Sequence, residues 1–333
     1  MDRATRFAAS LGLRVPIFQA PVGSAAGPEL AAAVSQAGGL GALALTWTSW
    51  EDTQRSVAEV QKRTQKRFQV NFVLAFEPKS LRCALEAGVR VVTFSWGIPA
   101  EEEIALVRSN HARYGVQVTT IDGAKRVLDI GADFLICQGV EAGGHVQATR
   151  NLWEILPQII SLAQTVPVIA SGGIGNGKGI ARALSIGASG VMLGTRFVAT
   201  QESIAHELYK RKLVEAKTED AVLTVCFDLG WPHAAHRVLG NSTLAIWEAA
   251  GCPPSGRRPG EGDLTATDSS GRSFLRYHFV PPRADMSGNV EAMCLYAGMS
   301  CGEIRDVPST MELIERLWRE CECERKMIAN QLG

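Results

Sequence analysis

Ser185-Ile-Gly-Ala-Ser-Gly-Val-Met-Leu-Gly194 is the stretch whose reading decides the fold. A segment with helical spacing, Gly179–Ile186, stops at a glycine, and an apolar run, Gly190–Leu193, follows almost at once. A glycine just past the last helical residue is the left-handed C-cap, because only glycine takes a positive φ without Cβ strain. The same cassette recurs as Gln36-Ala-Gly-Gly39, Glu86-Ala-Gly-Val89 and Asp129-Ile-Gly-Ala132. Four copies make helix-glycine-strand the repeating unit.

Working outward, eight strand-like runs stand between Val15 and Gly194. They are Val15–Ala20, Gly41–Thr46, Phe68–Phe72, Val89–Phe94, Val116–Thr119, Phe134–Gln138, Val168–Ser171 and Gly190–Leu193. The segments between them are helical in spacing: Pro28–Ala37, Thr53–Arg63, Lys79–Ala87, Glu101–Arg113, Asp122–Ile130, Leu152–Gln164 and Gly179–Ile186. In the sixth, Leu152, Ile155, Leu156, Ile159, Ile160 and Ala163 recur at three- and four-residue steps. Eight strands, each followed by a helix, predict an α/β fold of the (β/α)8 TIM-barrel type. A doubly wound open sheet is the rival. It calls for a glycine-rich phosphate loop after strand 1, where this chain has Gln19-Ala20-Pro21-Val22-Gly23.

The texture changes after Tyr209. The segment Lys210–Asn289 is rich in Pro, Gly and charge near Pro253–Asp263 and reads as a smaller inserted cap, partly helical. The expected division is a barrel from 1–209 and 290–333 with a second, smaller domain at 210–289. The tail, Thr310–Asn330, puts Met311, Ile314, Leu317 and Trp318 on one helical face and is expected to return to the barrel as an outer helix.

Composition narrows the function. Lys plus Arg is 34 and Asp plus Glu is 34, so a generally basic nucleic-acid binder is disfavoured. No apolar run approaches the ~20 residues of a membrane helix, and no secretory leader is read at Met1–Phe7. Eight cysteines without a Cys-x-x-Cys pair argue against disulfides or structural zinc and for a reducing, cytoplasmic setting.

Chemistry in such barrels sits at the C-terminal ends of the strands, with phosphate at the turns after strands 7 and 8. Those turns are Ser171-Gly172-Gly173-Ile174-Gly175 and Gly194-Thr195-Arg196-Phe197. Glycines let backbone N–H groups converge on an anion. Ser171 and Thr195 add hydroxyls, and the following helix, from about Lys178, offers its N-terminal end. Gly172–Lys178 also matches the start of a Walker loop, but Gly179 stands where Ser or Thr should hold Mg²⁺. After strand 6 comes Gln138-Gly-Val-Glu-Ala-Gly-Gly-His145, where a glycine pair brings backbone close to a ligand and sets an imidazole beside it. Glu141 shares that loop. Asn71, Ser95, Gln117 and Gln138 supply polar groups at other strand ends. The remaining histidines weigh less. His111 and His206 are read within helices and His278 within a strand, Phe274–Val280. His233 and His236 could share a face but lack a third metal ligand, so no metal site is expected.

Four blocks resemble the nitronate monooxygenase family, once called 2-nitropropane dioxygenases. They are Gln19–Gly23, Gln138–His145, Pro167–Gly175 with Gly190–Phe197, and Tyr296-Ala-Gly-Met-Ser-Cys-Gly302. The resemblance implies an FMN-dependent barrel that oxidises alkyl nitronates, or nitroalkanes, with O₂ to a carbonyl compound and nitrite. It places the FMN phosphate on Ser171, Gly172, Gly173, Gly194 and Thr195. The ring and ribityl chain would meet Ala20, Pro21, Val22, Asn71, Gln117, Gln138 and Gly143. It makes His145 the catalytic residue and puts Ser300 on the flavin or substrate side. Gln117, Met299 and Val22 depart from the Lys, Gln and Met common in the family. Two alternatives stand beside this reading: a flavin-dependent enoyl-ACP reductase using NAD(P)H, and a flavin-binding protein without turnover.

Overall fold

All four cassette glycines have positive φ, from 72° at Gly131 to 108° at Gly187, so each helix stops where the sequence says and the chain turns directly into a strand. The computed structural model describes residues 2–332. Its main sheet comprises β1 (Ile17–Gln19), β2 (Gly41–Ala44), β3 (Phe68–Val73), β4 (Val91–Ser95), β5 (Arg113–Val118) and β6 (Phe134–Gln138). A two-residue strand, β7 (Gly144–His145), interrupts the series before β8 (Val168–Ser171) and β9 (Gly190–Leu193). The order is β1-β9-β8-β6-β5-β4-β3-β2, every pair parallel. A parallel bridge between Phe18 and Leu40 joins the two outer strands, with Gln19 N–H donating to Leu40 O at 2.9 Å. The sheet is therefore a closed eight-stranded TIM barrel.

The outer helices are α2 (Pro28–Gln36), α3 (Trp50–Arg63), α4 (Leu81–Glu86), α5 (Glu101–Ser109), α6 (Ile121–Asp129), α7 (Leu152–Ala163) and α8 (Gly177–Ile186). They bury one apolar face against the strands, as Val57, Val60, Val107, Ile155 and Ile159 show. An unexpected first helix, α1 (Arg3–Ser10), closes the N-terminal end of the barrel. Its Phe7 meets Phe18 at 6.0 Å and Phe134 at 5.6 Å. Helix α5 is shorter than its spacing suggested, because the chain turns at His111 (φ 53°) and Arg113 already belongs to β5.

Beyond β9 lie α9 (Thr195–Val198), α10 (Glu207–Glu215), β10 (Ala221–Thr224), β11 (His236–Leu239), α11 (Ser242–Ala249), β12 (Leu264–Asp268), β13 (Ser273–Leu275) and β14 (Met286–Gly288). The region 210–289 is partly helical, with the end of α10 and all of α11 set among short strands and turns. Its first sheet, β10-β11-β7, takes its third strand from the loop after β6. The tail helix α12 (Thr310–Leu332) packs on α8 and α2. Its buried face is Leu313, Ile314, Leu317 and Cys321, while Met311 is exposed. Among the described residues no helix is long and apolar enough to cross a membrane.

Candidate active site

The loop after β6 is held by backbone contact on one side and by a strand pair on the other. A Cβ on Gly143 would stand 2.3 Å from Gly298 N, so only glycine lets the loop seat against the late glycine motif. Met299 N–H donates to Glu141 O at 3.0 Å. On the other side His145 pairs directly with His236 of β11. Arg237, next along β11, donates to Val140 O at 2.8 Å and to Ala221 O at 2.9 Å.

This frame fixes His145. Its ring stacks on Trp231 with centroids 4.0 Å apart and planes 24° apart. Tyr296 lies at 5.5 Å, His236 at 5.4 Å and Trp96 at 6.1 Å. Nε2 is shielded and has no hydrogen-bond partner. Burial, then the His236 imidazole, pushes its pKa down to about 3, so the ring is neutral. His236 is neutral for a related reason. Its Nδ1 lies 2.8 Å from Ala234 O, and its Nε2 accepts from Phe227 N–H at 3.1 Å. Burial lowers it to about 4. Both His236 nitrogens are therefore committed, whereas the shielded Nε2 of His145 has no partner.

An amide network supports the loop. Gln138 Nε2 donates to His145 O at 3.3 Å, and Gln138 Oε1 accepts from Gln147 N–H at 3.0 Å. Gln147 Oε1 in turn accepts from Gln117 Nε2 and from Trp96 N–H, each at 3.1 Å. Trp96 is held there at φ 60°. Gln147 was not singled out in the sequence, where only its place two residues after His145 marked it. Asn71 Nδ2 donates to Thr93 O at 3.1 Å, inside the barrel, and Ser95 is buried at the end of β4.

The two glycine turns adjoin, since β8 and β9 are neighbours and Ser171 is in register with Met192. Gly172 and Gly173 are left-handed, at φ 111° and 67°. A Cβ on Gly194 would lie 3.3 Å from Val22 and 3.5 Å from Ala20, which brings the end of β1, with Pro21, to the same place. Thr195 Oγ1 accepts from Gly298 N–H at 2.9 Å. Thus Ala20, Pro21, Val22, Gln117, Gln138, Gly143, Ser171, Gly172, Gly173, Gly194 and Thr195 ring one end of the barrel.

Several expectations need correction. The start of α8 does not face the mouth unaccompanied: Gly177 N–H donates to Glu320 Oε2 of α12 at 3.0 Å, and Asn176 Oδ1 accepts from Gly179 N–H. Glu141, in the same loop as His145, accepts from Leu152 N–H at 3.0 Å at the start of α7. Ser300, expected on the flavin or substrate side, sits at the glycine turn, its Cβ 2.9 Å from where a Gly175 Cβ would stand. Glu303 joins it there, and burial raises its carboxyl pKa. His206 precedes α10, where its Nδ1 accepts from Leu208 N–H, instead of lying within a helix. His278 falls past the end of β13, in a single bridge to Leu229. Among the described residues no cluster of three or more metal-ligating side chains is present.

The comparisons agree with this architecture. The nitronate monooxygenase family model matches residues 5–80 and 76–320. A nitronate monooxygenase of Pseudomonas aeruginosa is 30% identical, with 96% of this chain and 99% of the relative covered. Among solved structures, FabK from Thermotoga maritima superposes with a TM-score of 0.82 at 30% identity, covering 98% of each chain. A nitroalkane oxidase from Streptomyces ansochromogenes gives 0.79 at 28% identity, covering 96% of this chain and 99% of that one. The chain belongs to the nitronate monooxygenase family and is an enzyme of that flavin-dependent oxidoreductase type.

Proposed function

We propose that this protein binds FMN at the barrel mouth and oxidises alkyl nitronates with O₂ to a carbonyl compound and nitrite. Neutral nitroalkanes enter the same reaction after His145 removes a proton. The observation that carries this reading is the neutral, unpaired Nε2 of His145 at the mouth. A neutral imidazole is ready to accept a proton from the carbon bearing the nitro group. It is not poised to pair as a cation with a preformed nitronate.

The residues present suit FMN. Ser171, Gly172, Gly173, Gly194 and Thr195 would hold the phosphate. Glu141 and Glu320 are spent on backbone N–H groups, and burial biases Glu303 toward its neutral form. Ala20, Pro21, Val22, Gln117, Gln138 and Gly143 would meet the ring and ribityl chain, and Asn71 would lie beneath. When bound, FMN would supply the two-electron chemistry. The protein's part is to orient the substrate carbon toward Nε2, keep water from it and hold the abstracted proton. The region 210–289 would act as the cap over this mouth.

The likeness to FabK favours a second reading, a flavin-dependent enoyl reductase drawing electrons from NADH. Anaerobic mixing separates the two. Bleaching of the flavin by a nitronate supports the first, and bleaching by NADH alone overturns it.

A further inference from the structure

We propose that Gln147 is a positioning residue that sets the polarity of the flavin site: it locks the Gln117 amide with its carbonyl oxygen free, so the ring meets an acceptor and holds negative charge poorly. This rests on the reading that FMN binds at the barrel mouth.

Strand alternation turns Gln117 inward. Val116 and Val118, its neighbours in β5, both belong to the apolar core shared with the outer helices. Successive side chains on a strand point to opposite faces, so Gln117 points into the barrel. Asn71 is placed the same way in β3, between Val70 and Phe72.

An amide in such a place is ambiguous by shape alone, because one end accepts and the other donates. Main-chain groups remove the ambiguity. Trp96 N–H can only donate, so the Gln147 atom 3.1 Å from it is the oxygen Oε1. That oxygen also lies 3.1 Å from the Gln117 amide, which must therefore present its Nε2. Gln117 Oε1 is the end left over. Among the described residues it accepts no hydrogen bond, and it is not one of the sealed atoms. Gln147 is itself pinned, because its backbone N–H donates to Gln138 Oε1 at 3.0 Å. Trp96 holds a left-handed φ of 60°, and for a bulky residue such strain persists only where surrounding contacts fix it. Asn71 follows the same logic. Its Nδ2 donates to Thr93 O at 3.1 Å, a group that can only accept, so Oδ1 is its free end.

Two inward amides thus offer oxygen. A donor aimed at developing negative charge stabilises it, and an acceptor in the same place does the reverse. Reduction puts electrons on the ring. A locked oxygen beside it makes the reduced flavin a stronger electron donor, which suits transfer to O₂.

The test has two readouts. The first, on flavin-loaded protein, is the dissociation constant of the sulfite adduct, titrated by loss of the yellow absorbance. Sulfite gives an electron pair to oxidised flavin, forms an N–S bond and leaves the ring negatively charged. The constant therefore reads how the site treats that charge without any turnover. Gln147→Leu should tighten the adduct about tenfold, because the freed Gln117 turns its Nε2 to the ring. The two-electron midpoint should rise with it by about 30 mV, the same factor as a potential. Gln147→Met should repeat this if leucine packs badly. Gln147→Glu keeps an acceptor for Trp96 N–H and Gln117 Nε2, and its adduct should be no tighter than wild type. In a Gln117→Met background, Gln147→Leu should change nothing further.

The second readout is hydrogen exchange at the Trp96 amide, which needs no flavin. It should quicken in Gln147→Leu and Gln147→Met and stay near wild type in Gln147→Glu. An unchanged or weaker adduct in folded Gln147→Leu and Gln147→Met overturns the proposal. A weaker one would mean that Gln147 touches the ring through its own Nε2. An equal effect of Gln147→Leu with and without Gln117 also overturns it, as does unchanged exchange at Trp96. A protein that takes up no FMN overturns the proposed function, and exchange at Trp96 then decides the lock by itself.

Discussion

His145 works by being uncharged. A positioned base contributes roughly 10²–10⁴-fold, so His145→Asn should keep bound flavin and lose about that factor in turnover of neutral nitroalkanes. Preformed nitronates should be affected far less. Steady-state rates with 1-nitropropane and with its nitronate check this. Equal losses on both would contradict the role. The same burial shapes stability. Folded His145 and His236 titrate near 3 and 4, below the ~6.5 of an unfolded histidine. As pH falls below about 6.5, the unfolded chain takes up protons that the folded chain refuses. Stability is full above that pH and declines toward pH 4, by an amount on the order of a few kcal/mol. His236→Gln should make the urea midpoint less steep in pH over this window. At this scale His145 was legible because a Gly-Gly-His run at a strand end has few other uses. Gln147, His236 and Trp231 were not, since each acts through a contact made by folding rather than by a pattern in sequence.

At the scale of elements, glycine records close approach. Gly143 and Gly144 are adjacent, yet their substitutions should differ. Gly143→Ala drives a Cβ into the backbone of Gly298 and should cost about 3 kcal/mol. Gly144→Ala meets nothing within 4 Å and carries only the strain of φ 71°, about 1–2 kcal/mol. Thermal unfolding of both variants checks the order, and a larger loss at Gly144 would contradict it. The barrel elements were legible because period and punctuation agreed. The expected β6, β8 and β9 match at both ends, each bounded by a turn residue. What escaped was α1, whose short helix is stabilised by packing on Phe18 and Phe134, and β7, a strand only because β11 lies beside it.

On the scale of the whole molecule, the barrel supplies the mouth and the later chain supplies its lining. Phe18 and Leu40 close the ring of strands, and β10-β11-β7 ties the His145 loop to the region beyond β9. That coupling was invisible in sequence, where 210–289 read as a separate insertion. Arg237 spans the boundary with its hydrogen bond to Val140 O. A ligand at the mouth should therefore stabilise loop and cap together by mass action. The most direct measurement is the visible spectrum of the purified protein, followed by anaerobic mixing with an alkyl nitronate. The account predicts a yellow protein that releases FMN on denaturation and bleaches with the nitronate. A colourless chain that refuses added FMN, or a flavin that only NADH reduces, would contradict it.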